Sequence, residues 1–328
     1  MYSNFDTELV CLSCGQSYPV SNGIPVMFND KKRTEVLTSS ACYEKQLQLA
    51  KEKKENAESL NQVEFSQLTE KEKLFDALMG EILIWEKWKS LSNGTPVYDK
   101  EEIERYLENG RQGGGKQKFL DRIKKDNMPI EGKRILDIGS GWFVLLEYLI
   151  NEGCEVVAQD VLPESLLLLK KRGASFCICC DARVLPFEEN AFDIASCFEV
   201  IHHIWPIGQP IRELLRVTSS NIHIDEPNSY AVTRAARLLP KPILKKITQI
   251  FADADSHSPH EKSINPYEFK KIVKNNSGKI KQFRFTKTSW ISGDKNRVMK
   301  MISAMISLII HILPLVSSHF YSVIKKNT

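Results

Sequence analysis

Three aspartates close three short apolar runs in this chain: Asp137 in RILDI, Asp160 in CEVVAQD and Asp181 in ASFCICCD. Gly139-Ser140-Gly141 follows the first of them and leads into the apolar stretch WFVLLEYLI. A Gly-x-Gly turn lets a ligand approach backbone that a Cβ would shield, and the free N–H groups of a following helix aim at whatever lies there. A dinucleotide fingerprint would read Gly-x-Gly-x-x-Gly, but position 144 is Val and an acid stands two residues before the turn. That acid repels a pyrophosphate and can accept hydrogen bonds from an ammonium group, which favours a cofactor bearing an amino-acid moiety. Asp160 suits the two hydroxyls of a ribose, and Asp181-Ala182 suits the edge of a base. The competing reading is that the aspartates only form turns at strand ends.

The elements that would position these acids alternate regularly from about residue 132. RILDI, CEVVAQD, ASFCICCD, FDIASCFE and NIHID read as strands, and WFVLLEYLINEG, PESLLLLKKRG and QPIRELLRVTS as helices between them. Short apolar strands alternating with helices imply parallel pairing through right-handed crossovers, with both sheet faces covered. Further on, NPYEFKKIVKNN looks helical, KIKQFRFTKT alternates like a strand, and SHFYSVIKK can return beside it. In such a sheet ligands bind outside the carboxyl ends of the strands.

Residues 132 to 230 resemble the class I S-adenosylmethionine-dependent methyltransferases, in particular the broad family of ubiquinone/menaquinone-type and small-molecule enzymes. The resemblance rests on ILDIGSG, VVAQDV and CDARVLPFEENAFDIASCFEVIHHI. It implies an α/β fold: a Rossmann-like, mostly parallel, seven-stranded sheet with helices on both faces. It also implies S-adenosyl-L-methionine as cofactor. Asp137, Gly139, Ser140 and Gly141 would line its methionine end, Asp160 and Val161 its ribose and Asp181 and Ala182 its adenine, while Phe198 and Glu199 would pass beneath the sulfonium. Phe143 departs from the family's frequent glycine and narrows the site or packs the helix start.

Methyl transfer from a sulfonium is an in-line displacement, so positioning and exclusion of water can supply most of the acceleration. A base is needed only when the acceptor must lose a proton. His202, His203 and His223 are the neutral-pH bases at hand. His203 falls on the family's recurring position and is the catalytic candidate, with bracing of the loop as its alternative role; His202 falls on a variable position. Asp225 and Glu226 would either orient substrate or cap the turn at Pro227-Asn228.

The chain has 328 residues, 42% hydrophobic and 26% charged, and a net charge of +4, too small a basic excess to point to nucleic acid. Its 8 cysteines do not follow a secreted disulfide framework. No secretory leader is visible at the start, and a reducing cytoplasm fits best. We expect three regions: a cysteine-bearing, β-rich appendage over 1–30, a helical region and lid over 31–127, and a methyltransferase domain over 128–328. Cys11-x-x-Cys14 with YPVSNGIPVM resembles a small zinc-ribbon-like family. Only one such pair is present, against the four ligands that structural zinc needs, so bound zinc, a metal-free remnant and a redox pair stay open and no metal site is assigned.

The apolar insert at 298–316 can be a buried helix, a flap touching membrane or a hydrophobic substrate, or a dimer surface. With RAARLLPKPILKKITQIF it suggests peripheral membrane binding. DADSHSPHEKSINPYEF, with His257 and His260, reads as a substrate lid. The expected activity is methyl transfer to a small-molecule acceptor of hydrophobic or membrane-linked character. The alternative is a catalytically silent cofactor-binding scaffold.

Overall fold

The computed structural model describes residues 2–5, 8–56, 69, 78–79, 82, 115–141, 145–171, 173–204, 206–228, 264–286 and 319–327. Trp142 to Val144, the segment with His257 and His260, RAARLLPKPILKKITQIF and the insert at 298–316 lie outside these residues, so the expectations placed on them are not addressed by it.

Among the described residues, eleven strands form one sheet in the order β1-β2-β3-β4-β7-β6-β5-β8-β9-β11-β10. They are β1 Tyr2–Phe5, β2 Glu8–Cys11, β3 Ser17–Ser21, β4 Ile24–Met27, β5 Arg134–Ile138, β6 Glu155–Asp160, β7 Phe176–Cys180, β8 Phe192–Phe198, β9 Thr218–Pro227, β10 Gly278–Thr286 and β11 His319–Lys326. The expected count of seven is therefore not met: eleven strands stand among the described residues. The cysteine-bearing segment joins the sheet edge, because β4 pairs in parallel with β7 at Val26↔Cys179 and Met27↔Cys180. Parallel pairing runs from β4 through β7, β6, β5, β8 and β9. Antiparallel ladders close both sides: β1 to β4 on one, β11 and β10 on the other. The late return of SHFYSVIKK beside KIKQFRFT is as expected.

Seven α-helices are described: α1 Lys31–Thr38, α2 Ser40–Asn56, α3 Gly115–Asp126, α4 Leu145–Asn151, α5 Pro163–Lys171, α6 Gly208–Val217 and α7 Pro266–Asn275. Pro163 and Pro266 open their helices, where a missing N–H costs nothing, and Asn265 caps α7 by accepting from the N–H groups of Tyr267 and Glu268. Because strand side chains alternate, one strand feeds two cores. Ile135 of β5 packs with residues of α1 to α5, including Val36, Leu47, Phe119, Leu149 and Leu166. Leu136 and Ile138 face the other way, onto Ile211 and Leu214 of α6 and Phe269 and Val273 of α7. Cys177, Cys179, Cys180 and Cys197 form no disulfide and are buried in these layers, where they act as small apolar groups. No described helix is long and apolar enough to cross a membrane.

Candidate functional site

The strand order places the carboxyl ends of β7, β6, β5, β8 and β9 side by side. Asp181-Ala182, Asp160-Val161, Asp137 to Gly141 and Phe198-Glu199 thus come together along one rim, although up to 62 positions separate them in sequence.

At its centre the turn after β5 is fixed by backbone geometry. Gly139 has φ +61° and Gly141 φ +49°. A Cβ on Gly139 would stand 2.5 Å from Cγ2 of Val200. The turn is tied to β6: the Gly139 N–H donates to Gln159 Oε1 at 3.3 Å, the Ser140 N–H to the Gln159 carbonyl at 3.0 Å, and the Gly141 N–H to Asp160 Oδ2 at 2.9 Å. Gln159 also donates to the Cys180 carbonyl at 2.6 Å, linking three strand ends. Gly139→Ala adds strain at a left-handed φ and a contact too short to keep. The expected outcome is a folded protein destabilised by about 1–3 kcal/mol with an altered ligand turn, read by thermal unfolding and by calorimetric titration of the ligand proposed below.

Asp137 is 2% exposed. Its Oδ1 accepts from the Ser196 hydroxyl at 2.6 Å, and Ser140 Oγ donates to its carbonyl at 2.8 Å. Burial pushes its pKa up to about 6; the two serine hydroxyls pull against this, and the Asp160 charge adds to it. Among the described residues no basic side chain pairs with it. The pKa of Asp160 is also raised by burial, against the N–H groups of Leu162, Gly141 and Val161 and the Ser165 hydroxyl. Its Oδ1 accepts from the Leu162 N–H at 3.0 Å and its Oδ2 from the Gly141 N–H at 2.9 Å.

Asp181 differs. Burial works to raise its pKa, but the bonds and charge of Arg183 and the bond from Arg33 more than offset this and hold it below the usual carboxylate value. Oδ1 accepts from the Arg183 N–H at 2.9 Å and its Nε at 2.8 Å; Oδ2 accepts from Arg183 Nη2 at 2.7 Å and Arg33 Nη1 at 2.9 Å. Arg183 was legible as the next-but-one residue in CDAR. Arg33, 148 positions away, carried no signal at all.

Across the rim, Phe198 packs edge-on against Phe119 of α3, with ring centroids 5.3 Å apart. Glu199 takes φ +55°, donates its N–H to the Asp225 carbonyl at 2.8 Å, and accepts from His319 Nε2 at 2.8 Å. Asp225 is buried, which pushes its pKa well up, helped by the charges of Glu199 and Glu226; Arg122, 3.9 Å away, works against this.

Glu226 does not cap Pro227-Asn228. It is wholly buried and turns back to the short 3-10 helix Ile201–His203, accepting from the N–H of Val200 at 3.0 Å and of Ile201 at 2.7 Å, and pairing with His202 Nδ1 at 2.7 Å. In the neutral tautomer that donates Nδ1–H to an ionised Glu226, Nε2 is the ring nitrogen that can take up a proton. A carboxylate-oriented imidazole is the arrangement of a general base. His203 lies against it with ring centroids 4.0 Å apart. His223 is buried, donates through Nδ1 to the Tyr321 hydroxyl at 2.7 Å and accepts from Asn127 at 2.8 Å. Burial, with the charge of Lys281, pulls its pKa down to about 3, so it is a neutral structural link rather than a base.

At the other end of the chain, Cys11 and Cys14 flank a tight turn in which the Gly15 N–H donates to the Cys11 carbonyl at 2.8 Å. N–H groups of Cys14 and Ser13 lower the pKa of Cys11. Among the described residues no group of three or more His, Cys, Asp or Glu side chains could hold a metal ion.

Residues 136–223 match the family described as Methyltransferase domain. They contain the glycine turn, all three acids and the 3-10 helix. A ubiquinone biosynthesis O-methyltransferase of Xylella fastidiosa (strain 9a5c) is 33% identical over 91 residues, covering 26% of this chain and 37% of the relative. One of Bordetella parapertussis is 31% identical over 91 residues, covering 26% and 38%. The chain thus spans well under half the length of the curated relatives it matches. A SAM-dependent methyltransferase structure from Archaeoglobus fulgidus overlaps with a TM-score of 0.45 at 19% identity, covering 68% of this chain and 99% of the other.

Proposed function

We propose that this chain is an S-adenosyl-L-methionine-dependent methyltransferase acting on a small-molecule acceptor of hydrophobic or membrane-linked character. The reading includes a cytoplasmic location with peripheral membrane contact, for which the apolar insert at 298–316 and the basic-apolar stretch near 234–251 are the support. The observation that carries the proposal is Asp137, a buried carboxylate without a cationic partner among the described residues, beside a glycine turn that admits a ligand to the backbone. A sulfonium donor with an amino-acid end fits it and a pyrophosphate does not. The methyltransferase-domain match over these residues supports the reading.

S-adenosylmethionine supplies an electrophilic methyl group on a sulfonium. Asp137 would take the ammonium of the amino-acid end, Asp160 the ribose hydroxyls, and Phe198-Glu199 would form the wall beneath the sulfonium. Phe119 of α3 packs edge-on against Phe198. His202, paired with Glu226, would accept the proton of an acceptor hydroxyl at Nε2, with His203 bracing its ring.

Two measurements test this. Calorimetry on the full chain should show S-adenosylmethionine binding, and Asp160→Ala should weaken it at least tenfold, roughly the loss of one or more hydrogen bonds to a charged group. Radiolabelled methyl transfer into fractionated cell extract should then label a small-molecule, lipid-soluble fraction. Uptake of NAD in place of the sulfonium donor would overturn the proposal.

A further inference from the structure

Asp181 is the acid that, by its place on the rim, would accept a hydrogen bond from the amino group of a purine. Its surroundings give it another task. β4 and β7 run in parallel with Met27 opposite Cys180, so the chain leaving β4 emerges level with Asp181. Asp30 then caps α1 by accepting from the Arg33 N–H at 3.1 Å, which sets Arg33 in the first turn. The Arg33 guanidinium lies over the Phe28 ring, 4.7 Å from its centroid, and reaches the Asp181 carboxylate. Together with Arg183 it places four N–H donors on the two oxygens. A carboxylate offers about four lone-pair sites, so no place remains for a fifth donor.

Displacing a donor is costly here. Arg33 is 6% exposed, and its Nε already has no hydrogen-bond partner among the described residues. Removing Nη1 from Asp181 would leave a buried guanidinium without its counter-charge.

We infer that Arg33 and Arg183 withdraw Asp181 from ligand recognition, making it the joint between the N-terminal strands and the rim, so that the donor site does not read the purine 6-amino group through this acid. The base then meets backbone at Asp181-Ala182, and Arg33 is a positioning residue. This rests on the donor reading proposed above and adds a specificity that the reading does not contain.

The test uses the full chain, S-adenosylhomocysteine and its 6-deamino counterpart, which carries hydrogen in place of the 6-amino group and keeps N1 as an acceptor, titrated by calorimetry. The wild-type chain should bind the two within about threefold of each other, because loss of one charge-assisted hydrogen bond would instead cost about tenfold or more. Arg33→Met frees part of Oδ2, and the preference for the adenosyl ligand should then rise on the order of tenfold; a role confined to holding the fold would weaken both ligands equally. Arg183→Met, which leaves the contact with α1 in place, should move the ratio the same way. A wild-type preference of tenfold or more for the adenosyl ligand overturns this inference and leaves the donor reading standing. Binding of neither ligand overturns the donor reading itself.

Discussion

His202→Ala is expected to lower the rate of methyl transfer by about 10²–10⁴, the range for loss of a positioned general base, while donor affinity changes by less than about threefold. The expectation follows from the pairing of His202 Nδ1 with buried Glu226, which leaves Nε2 as the basic nitrogen. Glu226→Gln should reproduce much of the loss, since an amide can donate to Nδ1 and select the tautomer with its proton on Nε2. Glu226 also accepts from the Val200 and Ile201 N–H groups, so the 3-10 helix should loosen in that variant, and thermal unfolding separates the two effects. His203→Ala should cost much less if its part is to brace the His202 ring, on which it packs with centroids 4.0 Å apart. Single-turnover transfer of labelled methyl groups into the active extract fraction measures all three. Equal rates in wild type and His202→Ala would show that the acceptor needs no proton removed here, as for a thioether or a neutral amine.

Asp137→Asn should separate stability from binding. The folded carboxyl has its pKa raised from 3.8 to about 6, so the folded state holds this proton more tightly than the unfolded chain. The stability associated with it is fully present below about pH 4 and is lost as the pH rises through 6. By pH 7 that loss is about 3 kcal/mol. Asparagine keeps an acceptor for the Ser196 hydroxyl without the buried charge, so the ligand-free variant should melt a few degrees higher at pH 7. Donor binding should fall by roughly tenfold to a hundredfold, from loss of the charge-assisted bond to the ammonium. In the wild type, donor affinity should rise with pH up to about 6, where the carboxyl ionises. It should fall again above about 8, where a free α-amino group loses its proton. The low-pH limb should be absent in the variant. Calorimetry across pH, in buffers of different ionisation enthalpy, would show the proton released on binding near pH 6. An acid limb that persists in Asp137→Asn would assign the titration to another group.

Cys11 and Cys14 mark the limit of reasoning from spacing. A CxxC pair with tight turn hydrogen bonds is present, but nothing described completes a metal site. The segment's contribution to the fold lies in β4, which the spacing of its cysteines does not reveal.

Local pattern determined a great deal. The apolar runs ending in Asp137, Asp160 and Asp181 each had to become a strand buried on both faces, and glycines between strand and helix left few conformations for the turn. The strands of the parallel core, their helices and the acids on the rim were therefore legible from short stretches, because propensity, periodicity and turn chemistry act over a few residues. Contacts between distant segments were not. The edge pairing of β4 with β7, the reach of Arg33 to Asp181 and the return of Glu226 to His202 depend on which strands lie side by side, and alternation of side chains along a strand does not specify its neighbour. Tertiary structure alone decided that Asp181 is paired with two arginines while Asp137 meets no basic side chain among the described residues, and that His202 is the imidazole paired with Glu226, because burial and partner charges exist only once the sheet has formed.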